Sequence, residues 1–259
     1  MTPYWVVIPA RRASTRLPNK ALADIGGKPM VVRVAERAQR SGAARIIVAT
    51  DCNEIQAVCQ QAGIEAVMTA SNHPSGTDRI AEVATQLKAA STQLIVNVQG
   101  DEPLINPELI HDVGQALTQA PEHHVATAAT PIHDAHELTN PNVVKVVCEP
   151  PHEARYFSRA PIPWCRDQWP SLSDITRSEL HGALPALRHI GLYAYRVGAL
   201  RQFVASSPST LERIEQLEQL RWFALHHTVQ VVITAQAPHA GVDTQEDLLR
   251  VRALWDNQK

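Results

Sequence analysis

Over roughly the first half of the chain, short apolar runs alternate with longer stretches of helical period, and this alternation limits the possible folds more than any other feature. Tyr4–Ile8, Arg45–Thr50, Glu65–Met68 and Leu94–Val98 read as strands. Between and after them Pro29–Ser41, Asn53–Ala62, Asp78–Ala89 and Pro107–Ala120 read as helices, with Met30, Val34 and Ala38 sharing one face of the first. Leu94, Ile95, Val96 and Val98 put apolar residues on both faces, as expected of a central strand. Strands that alternate with helices in this way build a parallel sheet covered on both sides. Asp51 or Asn53 is expected to cap the second helix and Gly63 to end it; Ser75 or Thr77 suits the start of the third, and Asn106 with Pro107 the fourth.

After residue 125 the pattern changes. Val125–Ile132, Val143–Cys148 and Gly191–Arg196 look like strands joined by proline-rich connections, which suggests a mixed sheet with long loops. Leu211–His226 reads as one long helix, Val229–Thr234 as a strand, and Thr244–Trp255 as a closing helix capped by Asp243 or Thr244. With 259 residues, 19% charged and 44% hydrophobic, the chain has the composition of a globular α/β protein. A formal net charge of −2 argues against a nucleic-acid-coating protein, and the apolar runs are too short to span a bilayer. Met1-Thr2-Pro3 runs directly into the first strand without a signal segment, so a cytoplasmic location is expected, with Cys52, Cys59, Cys148 and Cys165 reduced.

Ligands of open α/β sheets bind beyond the carboxyl ends of the strands. The first such loop carries Arg11, Arg12, Arg16 and Lys20 among the small residues Ala10, Ala13 and Ser14. So dense a positive charge, with backbone that a ligand can approach closely, points to a phosphate-rich ligand. After the central strand comes Gln99-Gly100-Asp101-Glu102-Pro103, where Gly100 would permit a turn that aims Asp101 inward, at a position suited to Mg²⁺. Gly241-Val242-Asp243-Thr244 precedes the last helix. Asp243 alone reads as a cap before a metal ligand, although one carboxylate oxygen could cap while the other faces the site. His73-Pro74-Ser75-Gly76-Thr77-Asp78-Arg79 offers exposed backbone that could read the edge of a base. His123-His124 and His226-His227 lack partners at ligand spacing and read as surface residues.

The motifs Pro-Ala-Arg-x-x-Ser-x-Arg-Leu-Pro-x-Lys, Ser-Gly-Thr-x-Arg and Val-Gln-Gly-Asp-Glu-Pro occur in order at residues 9–20, 75–79 and 98–103. Asn140–Val147, Tyr156–Arg159, Arg188–Tyr193, Leu217–Arg221 and Gly241–Thr244 extend the pattern almost end to end. The chain thereby resembles the sugar-acid cytidylyltransferases, most closely those that activate 3-deoxy-manno-octulosonate (Kdo). The resemblance implies a three-layer nucleotidyltransferase fold, with a mostly parallel sheet between helices and a smaller mixed-sheet region. It implies one domain over 1–259: 1–130 mainly for CTP, 131–242 mainly for the sugar and for dimerisation, and 243–259 as a closing helix.

The implied reaction moves CMP from CTP to the anomeric hydroxyl of Kdo and releases pyrophosphate, with Mg²⁺, for lipopolysaccharide synthesis by a homodimer. By the same resemblance Arg11, Ser14, Arg16 and Lys20 hold the triphosphate, and Ala10, Ser75, Gly76 and Arg79 surround the cytidine. Asp101 and Asp243 ligate Mg²⁺. Gln99, Arg159, His189, Tyr193, Glu218 and Gln219 face the sugar acid, Gln99 also reaching the nucleotide. Arg12, Asn19 and Asp78 stand where the family more often has an apolar or aromatic residue, a glycine and a glutamate. Nucleotide motifs alone do not separate Kdo from sialic acid or an 8-amino-Kdo as acceptor. A P-loop enzyme and a Rossmann dehydrogenase are disfavoured, since neither Gly-rich signature occurs. A catalytically silent nucleotide-binding subunit is a third alternative, which the presence of Lys20, Asp101 and Asp243 disfavours.

Overall fold

The computed structural model describes residues 3–12, 16–150, 152–167, 169 and 186–256. The expected alternation is present: β1 (Tyr4–Ala10), α1 (Met30–Gln39), β4 (Arg45–Thr50), α2 (Asn53–Gln61), β5 (Glu65–Met68), α3 (Gly76–Gln86), β6 (Leu94–Asn97) and α4 (Pro107–Gln119). A short hairpin of β2 (Asp24–Ile25) and β3 (Lys28–Pro29), preceded by a 3₁₀ turn at Lys20–Leu22, intervenes before α1. There follow β7 (Val125–Pro131), α5 (Ala135–Thr139), β8 (Lys145–Glu149), β9 (Glu153–Ser158), β10 (Leu187–Arg196), α6 (Val197–Ala205), α7 (Thr210–Glu215), α8 (Leu220–Ala224), β11 (Val229–Ile233) and α9 (Gln245–Asp256).

Among the described residues the strands form a nine-stranded sheet in the order β5-β4-β1-β6-β10-β7-β11-β9-β8. The amino-terminal side, β5 to β6, is parallel. β10 then runs antiparallel between β6 and β7, and β11 is parallel to β7. Buried residues divide by strand parity. Tyr4, Val6 and Ile8 face α1, α2 and α4, while Val7, Ile47, Ala49 and Ile95 face α3 and α6. A sheet buried on both faces between helices is the three-layer arrangement. A third cluster, Leu17, Ile25, Met30, Leu104, Val242, Leu248 and Val251, seats α9 against the loop after β1 and the small hairpin. No helix among the described residues is long and apolar enough to cross a membrane.

Several local expectations need correction. Neither Asp51 nor Asn53 caps α2. Cys52 holds that place without a side-chain bond, and Asp51 is drawn away to Arg79. The helix expected over Leu211–His226 is instead α7 and α8, because Gln216 takes a left-handed conformation (φ 53°) that ends α7. Periodicity continued across the break because Leu217 and Leu220 are buried on the same side. His123 is buried (3% exposed) between Glu122 and Glu153, and the His124 and His227 rings lie 4.7 Å apart. The His124 contact joins residues far apart in sequence, which pair spacing along the chain does not show. The four cysteines are free, and burial pushes the Cys59 and Cys148 thiols up to about 11.

Candidate active site

β1, β4 and β6 are parallel, so their carboxyl ends open onto one edge of the sheet. There lies a cleft of about 450 Å³. Pro9 and Ala10 line it from the end of β1, Arg11, Arg16 and Lys20 from the loop that follows, and His73 to Gly76 with Arg79 from the approach to α3 and its start. Gln99, Gly100 and Asp101 line it from the loop after β6, and Asp243 from the approach to α9. Ser14 lies outside the described residues. The other residues expected around the nucleotide meet here.

The two aspartates converge on one cation. Lys20 Nζ donates to Asp101 Oδ2 at 2.6 Å and to Asp243 Oδ1 at 3.0 Å, while an Arg16 Nη lies 3.1 Å from Asp243 Oδ2. Burial works against the Lys20 charge, but the two carboxylates outweigh it and raise its pKa. Burial, and then the Asp101 charge, push the neighbouring Glu102 carboxyl up to about 8. Thr244, rather than Asp243, caps α9: its hydroxyl accepts from Asp247 N at 3.2 Å, which leaves the Asp243 carboxylate for the cleft.

Gly100 is needed for a reason other than the expected tight turn. A Cβ there would stand 2.7 Å from the Pro9 carbonyl oxygen, so only glycine lets the Asp101 loop pack on the end of β1. Asn19, where the family resemblance points to glycine, adopts φ 54°, and asparagine tolerates that region better than most residues. Ser75 caps α3, accepting from Asp78 N and donating to Asp78 Oδ2. Arg79 is 3% exposed. Its guanidinium is shared between Asp51 Oδ2 at 2.9 Å and Thr69, so it braces the wall beside the base loop.

A second polar group adjoins the cleft through α3. Thr77 donates to Glu218, and Ser75 also hydrogen-bonds that carboxylate, whose pKa burial raises against both bonds. Behind it the β10 aromatics share a face, with Tyr193 5.3 Å from His189 and 5.8 Å from Tyr195. A bulge between Ile190 and Tyr193 keeps them aligned, and Thr127 closes it by donating to the carbonyls of Ile190 and Leu192. His189 Nε2 meets the same hydroxyl at 3.0 Å, and burial drives its pKa down to about 3. Burial likewise raises Tyr193 well above the usual phenol range. These are therefore neutral hydrogen-bonding groups at ordinary pH.

Gln219 is 8% exposed and stands at the start of α8. Arg159 bonds to backbone instead. Its guanidinium donates to the carbonyls of Pro141, Glu215 and Gln216, and its own carbonyl accepts from the buried Lys145. Thr127 escaped notice in the sequence, which suggests Thr77 and Asp51 only as helix caps, not as partners of Glu218 and Arg79. Each is a common polar residue whose role depends on a partner far along the chain, so no local pattern marks it.

The sequence matches the cytidylyltransferase family over residues 5–230. The chain belongs to that family. Its fold is similar to the structure of a CMP:2-keto-3-deoxy-manno-octonic acid synthetase complexed with CTP, at 38% identity and a TM-score of 0.89, with 100% of each chain covered. It is also similar to a cytidylyltransferase from Leptospira borgpetersenii serovar Hardjo-bovis (strain JB197), at 14% identity and a TM-score of 0.61. That alignment covers 99% of this chain and 88% of the other, a likeness of fold.

Proposed function

We propose that this cytidylyltransferase transfers CMP from CTP to the anomeric hydroxyl of Kdo, giving CMP-Kdo and pyrophosphate. The observation that carries the reading is the full-length match, at 38% identity, to a synthetase of that sugar nucleotide complexed with CTP. The cleft supplies the chemistry that such a reaction asks of a protein, which is chiefly positioning and charge stabilisation. Arg11, Arg16 and Lys20 would neutralise the triphosphate and the departing pyrophosphate. Ala10 and the Ser75–Gly76 backbone would bound the base, with Arg79 holding that wall in place.

Asp101 and Asp243 fit Mg²⁺, since both carboxylates already converge on a single cationic nitrogen, at 2.6 and 3.0 Å. Mg²⁺ ordinarily takes one or two carboxylates and completes its shell with phosphates and water. Bound there, it would supply charge neutralisation on the phosphates and acidify the sugar hydroxyl. Glu218, Gln219, Tyr193, neutral His189 and Gln99 would orient the sugar acid against the cleft by hydrogen bonds, and Arg159 would fix the backbone around them. From the family resemblance we also propose a cytoplasmic homodimer that serves lipopolysaccharide synthesis. Light scattering checks the dimer. Pyrophosphate release with CTP, Mg²⁺ and a panel of Kdo, 8-amino-Kdo and sialic acid tests the function: Kdo should give the highest kcat/KM, and preference for another acceptor would reassign the substrate.

A further inference from the structure

The loop that carries Asp243 is pinned at three places, two of them by side chains outside the cleft. Val242 is fully buried, and its N–H donates to the Asp101 carbonyl at 2.9 Å. Asp247 Oδ2 accepts from Asp243 N at 3.1 Å, from Thr244 N at 3.0 Å and from the Thr244 hydroxyl at 2.9 Å. Arg250 Nη2 donates to the other Asp247 oxygen at 3.0 Å and to the carbonyls of Ala240 and Gly241 at 3.2 and 3.4 Å. A capping box needs only the reciprocal pair Thr244 and Asp247. The extra bond to Asp243 N and the arginine tie to 240–241 instead fix the backbone on both sides of the Asp243 carboxylate.

We infer that Asp247, held by Arg250, is a positioning residue that aims the Asp243 carboxylate at Asp101 and so sets the affinity of the site for its divalent cation. Neither side chain lines the cleft. Partners that orient a metal ligand commonly change metal affinity or activity by 10- to 100-fold when lost. This inference rests on the reading of Asp243 as a metal carboxylate.

The experiment measures Mn²⁺ binding by electron paramagnetic resonance with CTP present and no acceptor, for the wild type, Asp243→Asn, Asp247→Ala, Asp247→Glu and Arg250→Met. Asp247→Ala should raise the Mn²⁺ dissociation constant about tenfold, and Arg250→Met several-fold in the same direction. Asp247→Glu should recover most of the loss, because glutamate is the usual partner in a capping box. The Mg²⁺ concentration for half-maximal pyrophosphate release should move in parallel, with the KM for Kdo unchanged. If Asp243→Asn weakens Mn²⁺ but Asp247→Ala and Arg250→Met bind it as the wild type does, Asp247 is a helix cap only and the inference is overturned. If Asp243→Asn also binds Mn²⁺ normally, the reading of Asp243 itself fails, and the inference with it.

Discussion

Gly100→Ala puts the packing of the Asp101 loop on the end of β1 to a quantitative test. The added methyl carbon would stand 2.7 Å from the Pro9 carbonyl oxygen and 3.6 Å from the Ala10 Cβ. The oxygen is backbone, and β1 is held by β4 on one side and β6 on the other, so no flexible side chain can move aside. The Asp101 loop and the end of β1 must part by several tenths of an ångström. Overpacking of this kind costs about 1–3 kcal/mol. For a chain of this size each kcal/mol lowers the melting temperature by about 2–4 °C. The displacement carries Asp101 away from Lys20. A misplacement of about 1 Å can cost 10²-fold in rate, so a loss of roughly tenfold in turnover is expected. Gly191→Ala is the stability control, since nothing lies within 4 Å of its added carbon and its backbone is unstrained. Thermal melting and CTP-dependent pyrophosphate release would be measured on both variants. A Gly100→Ala protein that melts with the wild type and turns over within about twofold of it would refute the packing argument.

Other substitutions separate the roles assigned to the site. Asp101→Asn should cut turnover by roughly 10²-fold, and near-normal pyrophosphate release at saturating Mg²⁺ would remove Asp101 from the catalytic set. Glu218→Ala should raise the KM for Kdo by about tenfold with a much smaller change for CTP, while an equal effect on both would count against a sugar-side role. His189 bears on pH dependence. Its folded pKa is depressed from 6.5 to about 3 by burial, so the stability that it confers is complete above pH 6.5 and is lost as pH falls toward 3. The slope is at most about 1.4 kcal/mol per pH unit, so between pH 7 and 5.5 urea denaturation should show His189→Gln losing about 1 kcal/mol less than the wild type. Parallel curves would show that His189 is not held neutral.

The parallel half was legible because each element there carries its own signal. Arg45–Thr50 and Glu65–Met68 are bounded as their apolar runs suggest, and Asn106 and Pro107 start α4 where their chemistry requires. The carboxyl-half strands are set by long-range pairing instead. β9, with only six residues and alternating charges in Glu153 and Arg155, gave no strand signal, yet it pairs along β8. The residues expected around the nucleotide could be grouped from the sequence because they cluster in loops at the same ends of parallel strands. The grouping of the residues expected to face the sugar acid could not be derived from the residues alone. His189, Tyr193 and Glu218 are brought together by a bulge, by Thr127 and by the break at Gln216, none of which has a local sequence mark. The bonds of Arg159 to three carbonyls likewise depend on chain segments far from it and have no local sequence mark.

The most direct test of the central claim is ³¹P nuclear magnetic resonance of the purified protein with CTP, Mg²⁺ and Kdo. The account predicts that the three CTP resonances give way to equal amounts of pyrophosphate and one new phosphodiester, with neither formed when Kdo is omitted. Accumulation of CMP and pyrophosphate without a phosphodiester, or an unchanged CTP spectrum, would contradict it.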